Sequence, residues 1–375
     1  MKNNFFYYMP TKIVYGVNEL HNINKFINGR KTLLLTSPFF IKSGLITKLK
    51  TISCDIVEVI SEVKSHPEFK DLKDIYNKVV GIDFELIVAI GGGSTLDTAK
   101  FISVQNEKKE YKFVEDIAKN KTPKQNYKII PIIAIPTTAG TGSEVTPWAS
   151  IWDSDEKKKY SLSLPGLFSE CVIYDPILTL SVPQNITIQT GLDALSHALE
   201  SIWNKNANPI TINYAIQSIK IIIDNIVKLS YNLSNLEYRD NMMKACMYAG
   251  LAFSNTQTAM AHGISYYITI NKQVPHGIAC SFTLPMLIDS IIGKYTYIDK
   301  ALIDSMGELS SKKIRDILEE LDISINFHDY GISEKELRKI ILSLANEQRI
   351  MNSIVTVNDV FENNIEINYR KIKRT

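Results

Sequence analysis

The first half of the chain alternates short, almost continuous apolar runs with stretches of helical periodicity, and this alternation restricts the fold more than any other feature. The runs cover residues 31–36, 54–60, 85–90 and 128–135. A strand that is apolar on both faces must be covered on both faces, as happens when parallel strands are joined by crossover helices. The pattern therefore predicts an α/β domain built on a parallel sheet.

The second half has a different character. Few strand-like runs follow residue 183, and helical periodicity extends over residues 210–229, 239–253 and 302–321. Pro183 punctuates the chain where the pattern changes. We therefore predict two domains, an α/β domain over residues 1–182 and an all-helical domain over residues 183–375.

Composition is typical of a folded protein and does not indicate a nucleic-acid partner. The 375 residues are 45% hydrophobic and 22% charged, which is typical of a folded, enzyme-sized protein. Lysine and arginine (42) nearly cancel aspartate and glutamate (40), so the net charge of +2 gives no reason to expect a nucleic-acid partner. The basic residues at 369–375 are interpreted as a solvated chain end.

The cysteines and the chain start bear on the compartment. Cys54, Cys171, Cys246 and Cys280 show no CxxC spacing, so we expect four small buried side chains in a reducing cytosol. The first residues lack the apolar core of a signal peptide, and no apolar run reaches the roughly 18 to 20 residues that span a bilayer. A cytoplasmic protein without a membrane partner is expected.

Two loops rich in glycine and hydroxyl side chains follow predicted strands. The first, Gly91-Gly92-Gly93-Ser94, leads through Asp97 into a helical stretch, and the second covers residues 136–144. Loops at the carboxyl ends of parallel strands form a ligand crevice, and backbone amides at a helix start bind phosphate. They are candidates for a dinucleotide site, with a tight turn without ligand as the alternative, because GxGxxG is absent. Glu144 is expected to be held against backbone amides rather than to be catalytic.

A helical stretch over residues 190–200 sets a carboxylate and an imidazole on one face. Asp193 and His197 are four residues apart, and leucines at helical spacing mark a buried side. Thr190 and Gly191 are interpreted as the turn that enters this helix. A hydrogen-bonded core histidine would be the ordinary interpretation of His197 alone.

Two further histidines favour a metal site. His262 and His276 lie in small, apolar surroundings, where an imidazole without a partner would be costly to bury. A mixed carboxylate and imidazole site for a divalent metal explains Asp193, His197, His262 and His276 together.

In this order and spacing, the two loops, Asp193, His197, His262 and His276 resemble the iron-containing (group III) alcohol dehydrogenases over nearly the full chain. The resemblance implies a Rossmann-like dinucleotide domain and a helical metal-binding domain, the fold shared with dehydroquinate synthase. It assigns these four side chains as metal ligands, for Fe(II) or for Zn, Mn or Co, since the donor types do not decide among them. It further implies NADPH or NADH, a small aldehyde or alcohol substrate, and a homodimer.

The resemblance also implies cofactor-binding and catalytic residues. The cofactor set is Ser37, His66, Gly92, Gly93, Ser94, Asp97, Thr137, Thr138, Thr141 and Lys159. For His66 and Lys159 the alternative is a solvated surface side chain. Many members of the family carry an aspartate at the place of Ser37, and without it NADPH should be used at least as well as NADH. The resemblance places Tyr266 at the catalytic site, where many members carry a histidine. This chain therefore lacks the imidazole through which those members could relay a proton.

The expected activity is the reduction of a small aldehyde to a primary alcohol, with the hydride supplied by NAD(P)H and the carbonyl polarised by the metal. Two other functions fit part of the pattern. Sugar-phosphate cyclases share the fold and an NAD site but commonly carry Glu in place of Asp193. A non-catalytic metal-binding protein would leave both cofactor loops unexplained.

Three segments indicate a branch of the family. Residues 144–153, 159–162 and 199–209 resemble the phosphonoacetaldehyde reductases of phosphonate biosynthesis, which form 2-hydroxyethylphosphonate. Asn204, Lys205 and Asn206 could donate to a phosphonate. The alternatives are a polar helix cap for these three residues, and for the protein a general short-chain alcohol (butanol) or 1,3-propanediol dehydrogenase.

Overall fold

The apolar runs of the first half form a parallel sheet in the computed structural model of the chain, which describes residues 4–120, 126–344 and 348–363. The strands in this part of the chain are β1 (Lys12–Tyr15), β2 (Thr32–Thr36), β3 (Ile56–Ile60), β4 (Leu86–Gly91), β5 (Val104–Gln105), β6 (Lys128–Ile129), β7 (Ile132–Pro136), β8 (Trp148–Asp153), β9 (Lys158–Ser163) and β10 (Cys171–Tyr174). The main sheet has the order β1-β10-β7-β4-β2-β3, and each neighbouring pair is parallel. All residues of β2, β4 and β7 are buried, as a sheet covered on both faces requires.

Some strands differ from the prediction. The run over residues 128–135 divides at Pro131, which has no N–H for a strand ladder, so β6 pairs with β5 and β7 joins the main sheet. The strands β1 and β10 were not predicted, and β8 and β9 form an antiparallel hairpin outside the main sheet.

Helices cover the sheet. In the α/β unit they are α1 (Asn24–Ile27), α2 (Pro38–Lys42), α3 (Leu45–Ile52), α4 (Phe69–Val79), α5 (Gly93–Ser103) and α6 (Tyr111–Asn120). Apolar residues of α1, α2 and α3 form one core cluster with Leu34, Val88 and Ile133 of the sheet. The helix α5 contacts β2, β4 and β7, which places its N-terminus above the carboxyl ends of the central strands.

The topology defines a natural ligand position at β2 and β4. The chain runs outward from β2 to β3, and then returns through α4 to β4 on the other side of β2. Thr36, at the end of β2, lies opposite Ile90 at the end of β4. Ser37 and the loop that begins at Gly91 therefore flank the point where the strand order reverses, the usual place for a dinucleotide in such sheets.

The second half is helical, as predicted. Its described helices are α7 (Gln184–Ile202), α8 (Pro209–Tyr231), α9 (Leu236–Thr256), α10 (Met260–Lys272), α11 (His276–Ser281), α12 (Leu284–Ile291), α13 (Thr296–Met306), α14 (Lys312–Glu320), α15 (Glu334–Ser343), α16 (Gln348–Asn352) and α17 (Val357–Asn363). One extensive apolar cluster connects them.

Two helix predictions were wrong. Thr190 and Gly191 lie inside α7 rather than at an entry turn, because the helix begins at Gln184, directly after Pro183. Residues 302–321 divide between α13 and α14, since Gly307 ends α13 in a left-handed conformation with φ of 82°.

The described residues fall into two compact units. Residues 9–138 and 142–181 form the α/β unit, and residues 182–363 form the helical unit together with the segments 4–8 and 139–141. Among the described helices none is long and apolar enough to span a bilayer. Cys54 is exposed, so the expectation of four buried cysteines was wrong at this position. The basic residues 369–375 lie outside the described part of the chain.

Candidate active site

Side chains from three helices of the helical unit meet in one cluster. Asp193 comes from α7, His262 from α10, and His276 and Cys280 from α11. One possible ligand atom from each of the four lies within 4.8 Å of the other three. Asp193 Oδ1 is 3.4 Å from His262 Nε2 and 3.9 Å from His276 Nε2. The structure therefore brings together three of the four side chains that the sequence indicates as metal ligands, and it adds a thiol.

The fourth indicated ligand, His197, borders this cluster. It lies one turn after Asp193 on α7 and is 5% exposed. Its ring stacks on Phe253, with ring centroids 3.9 Å apart, and on the other side faces the ring of His262 at 4.5 Å. His197 also helps to stabilise the ionised form of Asp193. The i, i+4 spacing thus places both side chains inward, as predicted.

A glycine allows α11 to approach α7. A Cβ added to Gly277 would lie 1.9 Å from the carbonyl oxygen of Gln189 and 3.3 Å from Cβ of Asp193. No side chain fits in that space, so the His276-Gly277 pair can begin a helix directly against α7. This close approach is what puts His276 beside Asp193.

The donors suit a divalent cation. Asp193 Oδ1 and His262 Nε2 are buried, and neither has a hydrogen-bond partner among the described residues. Burial opposes the ionisation of Asp193, but His197, His262 and His276 outweigh it and hold its pKa well below the ordinary value. Burial also disfavours a charged His262, but Cys280, Glu200 and Asp193 outweigh it. The pKa of this ring is therefore raised well above its ordinary value. A cation would satisfy the two buried atoms together.

Cys280 in the cluster and Glu200 beside it were not identified as site residues from the sequence. Cys280 follows His276 by one helical turn and is fully buried, and its Sγ is 3.9 Å from both ring nitrogens of His276. Burial raises the pKa of this thiol. Glu200, on α7, accepts a hydrogen bond of 2.7 Å from Nδ1 of His262. The sequence did contain a signal for each: Cys280 lies four residues after His276, and Glu200 lies seven residues after Asp193, so each shares a helix face with a proposed ligand.

The open side of the cluster is at His276, whose side chain is 22% exposed. The ring of Tyr266 stacks on it at a centroid distance of 5.5 Å and an angle of 8°. Tyr266 is thus next to a proposed ligand, as the sequence indicates, and its catalytic role stays a prediction.

In the α/β unit the two loops contact each other. The amide of Thr137 donates to the carbonyl of Gly91 (3.0 Å), and a Cβ on Gly92 would lie 3.2 Å from Oγ1 of Thr138. Gly93 begins α5, and Ser94 Oγ accepts a hydrogen bond of 3.1 Å from the amide of His66. Backbone amides at a helix start can bind phosphate, and the pyrophosphate site at this one stays a prediction.

Asp97 and Lys100 on α5 are bonded inside the unit. Asp97 accepts hydrogen bonds from Oγ of Ser143 (2.6 Å) and from the amide of Ser150 (3.0 Å). Lys100, which is 1% exposed, donates to the carbonyls of Ser143 (2.5 Å) and Trp148 (2.7 Å). Burial lowers the pKa of Lys100 to about 8, although Asp97 and Glu144 oppose this shift. These hydrogen bonds connect α5 to the loop that carries Ser143 and to the β8–β9 hairpin that follows.

The remaining predicted cofactor residues lie as follows. The ring of His66 meets Trp152 edge-on at 5.5 Å, and Lys159 Nζ is 5.2 Å from the Trp152 ring. Partial burial and the charge of Lys159 lower the pKa of His66. Ser37 precedes α2 at the end of β2, and Thr141 belongs to the segment 139–141 of the helical unit.

Glu144 is buried and accepts a hydrogen bond of 2.9 Å from the hydroxyl of Tyr174. Burial raises the pKa of this carboxyl above its ordinary value. This partner is a side-chain hydroxyl rather than one of the expected backbone amides, and the expectation that Glu144 is not catalytic stays a prediction.

Two family models match most of the chain. Residues 10–176 match the family model for iron-containing alcohol dehydrogenase, and residues 187–361 match the model for the C-terminal part of that family. A sulfoacetaldehyde reductase of Bilophila wadsworthia is 30% identical over 371 residues, 93% of this chain and 94% of the relative. A 1,3-propanediol dehydrogenase of Citrobacter freundii is 32% identical over 75% of this chain and 74% of its own length.

A solved structure is similar over the whole chain. The sulfoacetaldehyde reductase of Bifidobacterium kashiwanohense in complex with NAD+ superimposes with a TM-score of 0.86 at 26% identity, and all of both chains is covered. Its α/β and helical halves confirm the predicted fold class. The chain belongs to the iron-containing alcohol dehydrogenases, a family of oxidoreductases that interconvert aldehydes and alcohols with iron and NAD(H).

Proposed function

We propose that the protein reduces a two-carbon aldehyde that carries a tetrahedral anionic group on its second carbon. Phosphonoacetaldehyde is the first candidate, on the resemblance of the three segments named above. Sulfoacetaldehyde is the second, because relatives with that name match this chain over 93% of its length in sequence and all of it in structure. The observation that carries the proposal is the sequence match to a sulfoacetaldehyde reductase over 93% of the chain. The 1,3-propanediol dehydrogenase matches over 75% of the chain in sequence, although a solved 1,3-propanediol oxidoreductase covers 98% of it in structure.

The reaction requires one hydride and one proton. The hydride leaves NAD(P)H and forms a C–H bond at the aldehyde carbon, while the carbonyl oxygen gains a proton, so the products are a primary alcohol and NAD(P)+. In the proposal the side chains of Asp193, His197, His262 and His276 hold the divalent ion. Bound there, the ion supplies a Lewis acid for the carbonyl oxygen.

The residues of the chain provide the binding and the orientation. Ionised Asp193 contributes the negative charge that a cation requires, and burial removes competing water from His262. Among the proposed ligands, His276 has the most exposed side chain, and its ring stacks on Tyr266. The aldehyde is therefore expected to approach the ion from the side of His276. The amides around Gly92, Gly93 and Ser94 are the proposed pyrophosphate site.

Asn204 was one of the three expected donors to the phosphonate, and its hydrogen bonds argue against this role. Asn204 is 1% exposed, donates to the carbonyl of Gln257 (3.2 Å) and accepts from the amide of Asn206 (2.9 Å). These bonds favour the helix-cap interpretation of Asn204. We therefore do not assign the phosphonate contact to it.

The substrate is tested by comparing kcat/KM for phosphonoacetaldehyde, sulfoacetaldehyde, butyraldehyde and 3-hydroxypropionaldehyde with NADH and NADPH. A site that pairs an anion should prefer an anionic aldehyde over butyraldehyde by at least about 100-fold, roughly 2.7 kcal/mol. A preference for sulfoacetaldehyde would select the second candidate. Equal values for all four, or a maximum for 3-hydroxypropionaldehyde, would refute the anionic substrate and leave the family assignment intact.

The ligand set is tested with cobalt. Co(II) bound to a thiolate shows a near-ultraviolet charge-transfer band that carboxylate and imidazole ligands lack. If His197 is the fourth ligand, the wild-type Co(II) protein lacks this band, and His197→Ala binds cobalt more weakly than Cys280→Ser does. If the wild type shows the band and Cys280→Ser lacks it, Cys280 is the fourth ligand instead of His197. The homodimer and the cytoplasmic location stay predictions, and light scattering would test the first.

A further inference from the structure

Glu200 is a fully buried carboxylate on the helix that carries Asp193 and His197, three residues after the histidine. Four N–H groups are directed at it. Its Oε2 accepts from the amide of Ala259 (2.8 Å) and lies 2.7 Å from Nδ1 of His262. Its Oε1 accepts from the amides of Ala261 (2.5 Å) and His262 (3.4 Å). A carboxylate accepts only, so each of these groups must donate.

We propose that Glu200 is a positioning residue, which keeps the proton of the neutral His262 ring on Nδ1 and thereby leaves the lone pair of Nε2, 3.4 Å from Asp193 Oδ1, for the proposed cation. This inference rests on the proposed role of His262 as a metal ligand. A neutral imidazole has one donor nitrogen and one acceptor nitrogen, and the bond made by the first decides which nitrogen can bind a metal. Because Nδ1 faces an acceptor at 2.7 Å, Nε2 is the nitrogen without a proton whenever the ring is neutral, as a metal ligand must be.

The backbone bonds make the carboxylate a fixed reference. Ala259 is the N-cap residue of α10, and Ala261 and His262 lie in its first turn, where the backbone amides have no partners within the helix. No side chain caps α10 at Ala259 itself, and Glu200 accepts from this turn in its place. One carboxylate therefore sets both the position of the helix start and the orientation of the ring that the helix carries.

Glu200→Gln should reverse the proton position on the ring. The amide offers one acceptor oxygen, so its NH2 group must take the place of either Oε1 or Oε2. At Oε1 it would face two backbone N–H groups, which cannot change. At Oε2 it would face one backbone N–H and Nδ1, and the ring can adapt by moving its proton to Nε2. The second arrangement has fewer donor conflicts, and it removes the lone pair that would bind the metal.

The experiment measures zinc affinity by chelator competition, together with histidine nitrogen NMR of protein labelled with 15N-histidine. In the zinc-loaded wild type, the proton of His262 is expected on Nδ1, shifted downfield by the bond to Glu200. Glu200→Gln should bind zinc about 10- to 100-fold more weakly. Glu200→Asp, which retains an acceptor, should lose less. Ser196→Ala is the control, since its buried hydroxyl on the same helix donates to the carbonyl of Leu192 (2.8 Å) and to no proposed ligand.

Zinc affinity in Glu200→Gln within twofold of the wild type would overturn the proposal. So would a wild-type His262 whose Nδ1 carries no proton, a result that needs no variant and stands if Glu200→Gln does not fold. An equal loss of zinc affinity in Ser196→Ala would show that the loss in Glu200→Gln reflects general destabilisation, and would also overturn the proposal. A wild type that binds no zinc, cobalt or iron would instead refute the proposed metal site, which separates the two failures.

Discussion

Gly277→Ala is expected to disrupt the metal site although it replaces none of the proposed ligands. The added Cβ would lie 1.9 Å from the carbonyl oxygen of Gln189, whereas ordinary contact begins at 3.4 Å. The start of α11 must therefore move away from α7 by about 1.5 Å, and His276, the preceding residue, moves with it. Metal sites tolerate only about 0.2 Å in ligand distance. We expect a fall of at least about 100-fold in kcat/KM, or 2.7 kcal/mol, because a misplacement of about 1 Å already costs that much.

The assay combines metal content after gel filtration, kcat/KM for the best aldehyde and the circular dichroism spectrum. Gly81→Ala is the matched control, because a Cβ at Gly81 meets nothing within 4 Å. The control should retain metal and activity, while Gly277→Ala should keep its helical spectrum and lose both. Wild-type metal content and activity in Gly277→Ala would show that α11 does not depend on this contact, and the packing argument would be wrong.

Two further predictions concern the α/β unit. Ser37→Asp should lower kcat/KM for NADPH relative to NADH by at least about fivefold, since two like charges about 4 Å apart repel by roughly 1 kcal/mol even in water; an unchanged ratio would show that Ser37 does not face the adenosine ribose. Burial lowers the pKa of Lys100 from 10.5 to about 8, so between these values the unfolded chain holds a proton that the folded chain has lost, and stability rises with pH. Lys100→Met should remove up to about 3 kcal/mol of this rise in urea unfolding, and parallel pH profiles for the two proteins would contradict the assignment.

The fold was predictable where the signal is local. The runs that became β2, β4 and β7 are apolar at every position because both faces are covered, and such runs stand out from the amphipathic helices between them. β1 is only four residues long and mostly half-buried, so neither a continuous apolar run nor strict alternation marks it. The break at Pro131 depends on which strand the chain pairs with next, and the local pattern does not contain that information.

The site was predictable to a similar limit. Asp193 and His197 share a helix face at a spacing that sequence alone reveals, and both are buried as expected. Cys280 looks like any small core residue until α11 has packed against α7 and α10. Glu200 carries no motif of its own, because its four partners lie about 60 residues away and become neighbours only when α10 docks beside α7.

These contacts make α7 the element on which the centre depends. It supplies Asp193 and His197 directly, it receives α11 through the space that Gly277 leaves open, and it holds the start of α10 through Glu200. The two other proposed ligand histidines, on α10 and α11, are therefore positioned by bonds and packing of their helices to α7. A substitution that shifts α7 should accordingly change metal affinity even when it is remote from the metal, whereas a substitution of equal cost in α15, which contributes no proposed ligand, should lower stability alone.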